Sequence, residues 1–212
     1  MLGIIGRGRW GDVYAKTLTE MGISYRQMGR SWNCSGLDGV IVASTPESHY
    51  SIAKGLIQAR MPCIIEKPLC FNHKRAERLL KWAQDYENSI VFVGHTRLFS
   101  PAWREFKKSL PEIVSVYAES RYSLKLPEFD WGSHLAAMCL DLGFDPRKAQ
   151  FSYNGNPLMF KVNGRHIFDD PPTDPMPLNV LITEFMEAIK KGDRNISHLE
   201  MGVEVMRYLD GA

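Results

Sequence analysis

Three glycines, Gly6, Gly8 and Gly11, stand directly behind the apolar run Leu2-Gly3-Ile4-Ile5 with the spacing G-x-G-x-x-G. The chemistry this pattern serves is the holding of a pyrophosphate. The first glycine permits a tight turn, the second lets backbone approach phosphate without a Cβ between, and the third lets the following helix lie close to the strand. Phosphate charge then meets the free N–H groups and positive dipole end of that helix. Tyr14, Leu18 and Met21 follow at i, i+4 and i+7, the apolar stripe of such a helix. The loop Gly6-Arg7-Gly8-Arg9-Trp10-Gly11 is therefore read as a dinucleotide-binding turn, against the plainer reading of a structural turn.

Three further stretches carry groups able to do chemistry. Ser44-Thr45-Pro46 and His49 follow the apolar run Val40-Ile41-Val42-Ala43, and Glu66-Lys67-Pro68 follows Cys63-Ile64-Ile65. In a parallel sheet both would sit at strand ends, where ligands bind. Thr45-Pro46 also reads as an N-cap followed by proline at the first helical position, and His49 reads first as a histidine fixing the local turn. Lys67 points at the crevice or pairs with Glu66. In Asp130-Trp131-Gly132-Ser133-His134 the aspartate and histidine are four apart, so on a helix they would share a face; the alternatives are a capping aspartate and a packed histidine.

The elements that must position these groups alternate. Strands are expected at 2–6, 23–28, 39–43, 62–66 and 90–94, and helices at 11–21, 47–59 and 73–85. That order predicts a parallel sheet with helices on both faces, its inner strands being continuous apolar runs covered on both sides. The stretch from Ser31 to Gly36 is too short for a crossover helix. From about Phe99 a helix over Pro101 to Leu110 and an alternating strand at Val114 to Ala118 begin an α+β domain. Short strands are expected around Phe151, Phe160 and Ile167, with Asn163-Gly164 as hairpin turn. The proline-rich segment 169–177 reads as a loop, and two amphipathic helices close the chain. The fold class is α/β: a dinucleotide-binding domain over 1–98, then a smaller α+β domain with a mostly antiparallel sheet over 99–212.

Composition sets the surroundings. The chain has 212 residues, with 26 Lys+Arg against 24 Asp+Glu, a balance that calls for neither nucleic acid nor a membrane surface as partner. It holds no apolar run of the ~20 residues that span a bilayer and leaves no room for a signal peptide before the first strand, so a cytoplasmic protein is expected. Cys34, Cys63, Cys70 and Cys139 show no metal-binding spacing, and no metal is expected.

Taken in order, the glycine loop, the strand with its T-P turn and His49, the E-K-P at Glu66-Lys67-Pro68, the junction Val93-Gly94-His95-Thr96-Arg97 and the D-x-G-x-H at Asp130 to His134 resemble the glucose-fructose oxidoreductase/inositol dehydrogenase/MocA family of NAD(P)-dependent oxidoreductases, in a short variant. The resemblance implies that Gly6 to Gly11, Ser44, Thr45, Pro46, His49, Glu66, Lys67 and Arg97 surround the cofactor, with Lys67 also reaching the substrate oxygen. It implies reversible hydride transfer between the nicotinamide and a secondary alcohol or ketone of a sugar, nucleotide sugar or polyol, with Lys67, Asp130 and His134 catalytic. His134 suits the proton transfer because an ordinary histidine pKa near ~6.5 exchanges protons at neutral pH. The second strand is followed by Gln27-Met28-Gly29-Arg30-Ser31 without a carboxylate for a ribose 2′-OH; Arg30 and Ser31 could meet a 2′-phosphate, which favours NADP over NAD. The second domain is short and lacks the glycines usual before the aspartate, so a catalytically inactive dinucleotide-binding sensor or scaffold is the alternative; an imine or tetrapyrrole reductase is a third reading. An open sheet face implies a homo-oligomer.

Overall fold

The computed structural model describes residues 1–110, 112–119, 128–152, 159–169, 177–192 and 194–211. Its first sheet has five parallel strands, β1 (Leu2–Ile5), β2 (Tyr25–Met28), β3 (Gly39–Val42), β4 (Cys63–Ile65) and β5 (Val91–Val93), in the order β2-β1-β3-β4-β5. The helices are α1 (Arg9–Glu20) after β1, α2 (Pro46–Gln58) after β3 and α3 (His73–Gln84) after β4. Every residue of β1, β3, β4 and β5 is buried, as strands covered on both faces must be. Only β2, at the edge, is partly open. No helix joins β2 to β3, as the short polar segment there requires.

The helices α2 and α3 start where their residues favour a start. Pro46 occupies the first turn of α2, and the side chain of Asn72 accepts from the Arg75 N–H to cap α3, satisfying one of the amide groups a helix start leaves open. Ala76, Leu79 and Ala83 form the buried stripe of α3. The same periodicity that predicted this helix therefore packs it.

The chain then crosses to a second sheet of four strands. A 3₁₀ turn (Thr96–Phe99) leads into α4 (Pro101–Lys108) and β6 (Val116–Glu119); a π-turn (Glu128–Gly132) leads into α5 (Ser133–Asp141). After them come β7 (Gln150–Ser152), β8 (Met159–Val162) and β9 (Arg165–Asp169), in the sheet order β7-β6-β8-β9. Pairing is antiparallel for β6–β8 and β8–β9 but parallel for β6–β7, so the sheet is mixed. Asn163-Gly164 makes the β8–β9 turn, and the Asn163 side chain accepts from the Val114 and Ser115 N–H groups, tying the turn to the start of β6. Val116, Ala118, Phe160 and Val162 face inward, while Tyr117, Met159 and Lys161 lie half-buried on the other face. The proline-rich stretch expected as a loop falls almost wholly outside the described residues.

Between the sheets lies α5, with Leu135 to Cys139 all buried. The last helices, α6 (Pro177–Lys191) and α7 (Ser197–Leu209), return to the first sheet. Phe185 of α6 meets Phe92 of β5 edge-on at 5.5 Å, and Leu199, Val203 and Met206 of α7 join the apolar layer formed with α2 and α3. Two apolar layers thus sandwich the parallel sheet, and one of them continues through α5 to the second sheet. All four cysteines are free.

Candidate active site

The site is built on the carboxyl ends of β1, β3, β4 and β5. At the first, Gly6 has φ +141°, and a Cβ there would lie 2.3 Å from the Ala43 carbonyl oxygen, so only glycine fits. A Cβ on Gly11 would strike the Gly6 carbonyl at 2.4 Å, which is how closely α1 approaches the loop. Gln27 pins that loop from β2, donating to the Gly6 carbonyl at 3.0 Å and the Asp12 carboxylate at 3.2 Å. Gly8 differs: no atom lies within 4 Å of where its Cβ would be, and it precedes α1 without a side-chain cap. Open space at an uncapped helix start is a cradle for an anion.

The second strand end is held by His49, fully buried on α2. Its Nδ1 lies 2.8 Å from the Pro68 carbonyl and its Nε2 3.0 Å from the Ser44 carbonyl. One ring thereby fastens the loop after β3 to the loop after β4. Burial pushes its pKa down, and the two carbonyls resist that shift. Ser44 and Ser48 hydroxyls meet at 2.7 Å.

Glu66, at the end of β4, is 3% exposed. The Tyr14 hydroxyl donates to one of its oxygens at 2.6 Å, and the Lys67 backbone N–H to the other at 3.2 Å. Burial raises the carboxyl's pKa, opposed by the Tyr14 bond and the Lys67 charge, and burial beside Glu66 also raises Tyr14. A Cβ on Gly94 would come within 2.6 Å of the same carboxyl. The segment after β5 can therefore lie against Glu66-Lys67 only because residue 94 has no side chain.

These segments enclose a cavity of about 1070 Å³. Its walls are Ile5 to Trp10, Gly29 and Arg30, Trp32, the stretch from Ala43 to His49, and Glu66 to Pro68, with Phe71 and Phe129 at one rim. Phe71 and Phe129 meet edge-on at 5.3 Å, joining the loop after β4 to the π-turn. Of the residues the sequence assigned to cofactor contact, Gly6, Arg7, Gly8, Arg9, Trp10, Arg30, Ser44, Thr45, Pro46, His49, Glu66 and Lys67 line this cavity. Gly11, Ser31 and Arg97 do not. Gly11 serves the approach of α1, and Arg97 stands over the Trp131 ring at 5.7 Å.

His134, at the start of α5, is 6% exposed and is not among the residues that line the cavity. Burial holds its pKa well below the ordinary histidine value, and the nearby charge of Lys67 lowers it further, as do His95 and Arg97. Lys67 thus both lines the cavity and acts through its charge on this imidazole. Asp130 lies in the π-turn, and its side chain is outside the described residues. Among the described residues, no cluster of His, Cys, Asp or Glu could hold a metal, and no helix is long and apolar enough to cross a membrane.

Trp32, Phe71 and Phe129 on the cavity wall were not assigned to the site from sequence, nor were the buried Tyr14 and His95. Tyr14 read only as part of an apolar stripe, although a buried tyrosine hydroxyl needs a partner. His95 read only as part of the junction between halves.

A five-stranded parallel sheet with a glycine turn, an uncapped helix start and a long cavity at its strand ends defines a Rossmann-type dinucleotide-binding protein. Comparison with known proteins makes the class specific: residues 23–95 match the model of the oxidoreductase family with NAD-binding Rossmann fold, GFO_IDH_MocA. Over that segment, about a third of its length, the chain is similar to this family. YceM of Salmonella typhimurium, named as an oxidoreductase, is 35% identical over 82 residues, 39% of this chain and 26% of that protein. Inositol 2-dehydrogenase 2 of Saccharopolyspora erythraea is 29% identical over 100 residues, 43% of this chain and 30% of that protein. The aligned part therefore spans under a third of the length of these curated relatives. A crystal structure of an oxidoreductase from Magnetospirillum magnetotacticum superposes with a TM-score of 0.79 at 21% identity, covering 100% of this chain and 98% of that one. The architecture of both halves is thus a known one.

Proposed function

We propose that this chain is an NAD(P)-dependent oxidoreductase acting on a secondary alcohol or ketone of a sugar, nucleotide sugar or polyol. The observation that carries the proposal is the position of Lys67: it lines the cavity that the glycine loop also lines, and its charge acts on the buried imidazole of His134. A cation beside a neutral histidine is a device for polarising an alcohol oxygen and taking its proton.

The dinucleotide would be held by the glycine loop and the start of α1 at its phosphates, by Ser44 to Pro46, and by Arg30 near the end of β2. Once bound, a nicotinamide accepts or supplies the hydride. The protein's own groups manage the rest. Lys67 would hold the reacting oxygen and stabilise negative charge developing on it. His134, kept neutral by burial, would accept the alcohol proton during oxidation and return it during reduction. Asp130 would orient the imidazole or bind a neighbouring hydroxyl. Arg30 on the cavity wall, with no carboxylate in the preceding turn, favours NADP, since a guanidinium can pair with a 2′-phosphate. Self-association through the half-open face bearing Tyr117, Met159 and Lys161 belongs to the same reading, and light scattering tests it.

Absorbance at 340 nm during incubation with NAD or NADP and a panel of polyols, sugars and nucleotide sugars tests the activity. Lys67→Ala and His134→Ala should each lower turnover by at least about a hundredfold with cofactor affinity unchanged. Equal loss of cofactor binding would make both residues structural.

A further inference from the structure

Beside Lys67 stands a second buried imidazole with no part in the proton step. His95 follows β5 and is 2% exposed. Its backbone is fixed: its N–H donates to the Val93 carbonyl at 2.7 Å, and its own carbonyl accepts from the Leu98 N–H at 3.0 Å. The ring faces His134 edge-on, centroids 6.2 Å apart and planes at 80°. Among the described residues, neither ring nitrogen of His95 has a hydrogen-bond partner, and neither does Nδ1 of His134.

Buried polar atoms are nearly always paired, and an exception in a functional cleft points to a water or ligand atom. Rings at this separation cannot bring their nitrogens to the ~3 Å of a direct bond, but a third atom between them can bond to both. A neutral imidazole offers one donor and one acceptor nitrogen, and a hydroxyl both donates and accepts. One oxygen between the rings would meet these requirements for one nitrogen of each.

The geometry points to a hydroxyl-binding site between His95 and His134, filled by an ordered water or by a hydroxyl of a polyol substrate, through which His95 sets the tautomer of His134. In this arrangement Nδ1–H of His134 donates to the oxygen, and the oxygen donates its own hydrogen to a nitrogen of His95. Nε2 of His134 is then left with its lone pair, the form a general base needs. No proton is transferred to His95. It is a positioning residue, and the inference rests on His134 being the base.

Crystals of the free protein, and of the protein soaked with NADH and myo-inositol, test the site. An oxygen bonded to both rings supports it: the same water in both crystals assigns it to solvent, and a polyol hydroxyl in the second assigns it to substrate. A dry gap in both overturns it. Nitrogen-15 spectra of the imidazoles test the positioning without reference to turnover, so they stand even if no substrate is oxidised. His134 should be a single Nδ1–H tautomer in the parent and in His95→Asn, whose amide can still accept from the oxygen, and mixed in His95→Phe. An unchanged tautomer in His95→Phe overturns the role, and should that variant not fold, loss of the single tautomer in His95→Asn does so. Where turnover is measurable, His95→Phe should lose roughly tenfold in kcat, as for one buried neutral hydrogen bond, with His95→Asn restoring it and NADH affinity constant. A parallel fall in NADH affinity would show a merely structural residue.

Discussion

Mild acid should destabilise this protein well before its surface carboxylates titrate. His95 is held down to about 3, first by burial and then by the charges of Lys67 and His198, and His134 is held well below the ordinary value, again first by burial. In the unfolded chain both would titrate near ~6.5. The unfolded state therefore binds more protons than the native state at every pH between those limits. By linkage, the stability these groups confer is fully present above pH ~6.5 and is lost progressively as pH falls below it. Between pH ~7.5 and ~5.5 each histidine that stays neutral in the fold costs roughly 1 to 2 kcal/mol of stability, so the pair costs about 3 kcal/mol. That is a large share of the roughly 5 to 15 kcal/mol typical of a folded domain. His198, held to about 4, and His49 act in the same direction. Glu66 acts oppositely: its raised pKa makes the native state the better proton binder, and the stability it confers falls as pH rises.

Urea unfolding followed by tryptophan fluorescence at several pH values measures the loss, and His95→Phe isolates one contribution because Glu66 is common to both proteins. The pH dependence of the variant should be shallower by about one histidine, roughly 1 to 2 kcal/mol over the same interval. The variant's absolute stability is irrelevant to this comparison. Parallel curves for parent and variant, or a parent whose stability is flat from pH 7.5 to 5.5, would refute the claim that these imidazoles are buried and neutral.

The same depression of His134 places the acid limb of kcat/KM for alcohol oxidation below pH ~6.5; a limb at or above that value in a pH–rate profile would remove His134 from the role of base. Arg30→Ala should weaken NADPH binding by roughly tenfold or more while changing NADH little, because only the former carries the phosphate a guanidinium pairs with, and fluorescence titration decides. Gly94→Ala drives a Cβ to within 2.6 Å of the Glu66 carboxyl, and overpacking of this kind costs about 1 to 3 kcal/mol; an unchanged urea midpoint would mean the carboxyl moves aside freely.

What the sequence disclosed, and what it hid, follows from the range of the interactions involved. The parallel sheet was legible because β3 and β4 are buried on both faces, which writes them as unbroken apolar runs, and because each strand end is marked by residues adjacent in the chain: Gly6 to Gly11, Ser44 to Pro46, Glu66 to Pro68. Periodicity alone placed Tyr14 in the core. It carries no mark of the hydroxyl's bond to Glu66, 52 residues away, nor of the carboxyl that leaves residue 94 no room for a Cβ. His95 was hidden for the same reason. Its ring is defined by Lys67 on one side and α5 on the other, and no spacing in a one-dimensional pattern encodes a pair 39 positions apart.

The segment from Asp130 to His134 is a different case, for its residues are neighbours in the chain and the helical geometry read there from their spacing begins as a π-turn that runs into α5. Local motifs thus mark the cavity at the strand ends of the first sheet. The proposed proton-handling side draws on three places, the end of β4, the turn after β5 and the first turn of α5, and only their packing brings Lys67, His95 and His134 near one another. A mutation that leaves every motif intact but moves α5, such as an enlargement of Ala136 or Ala137 in its fully buried centre, should therefore impair the proton step while sparing cofactor binding.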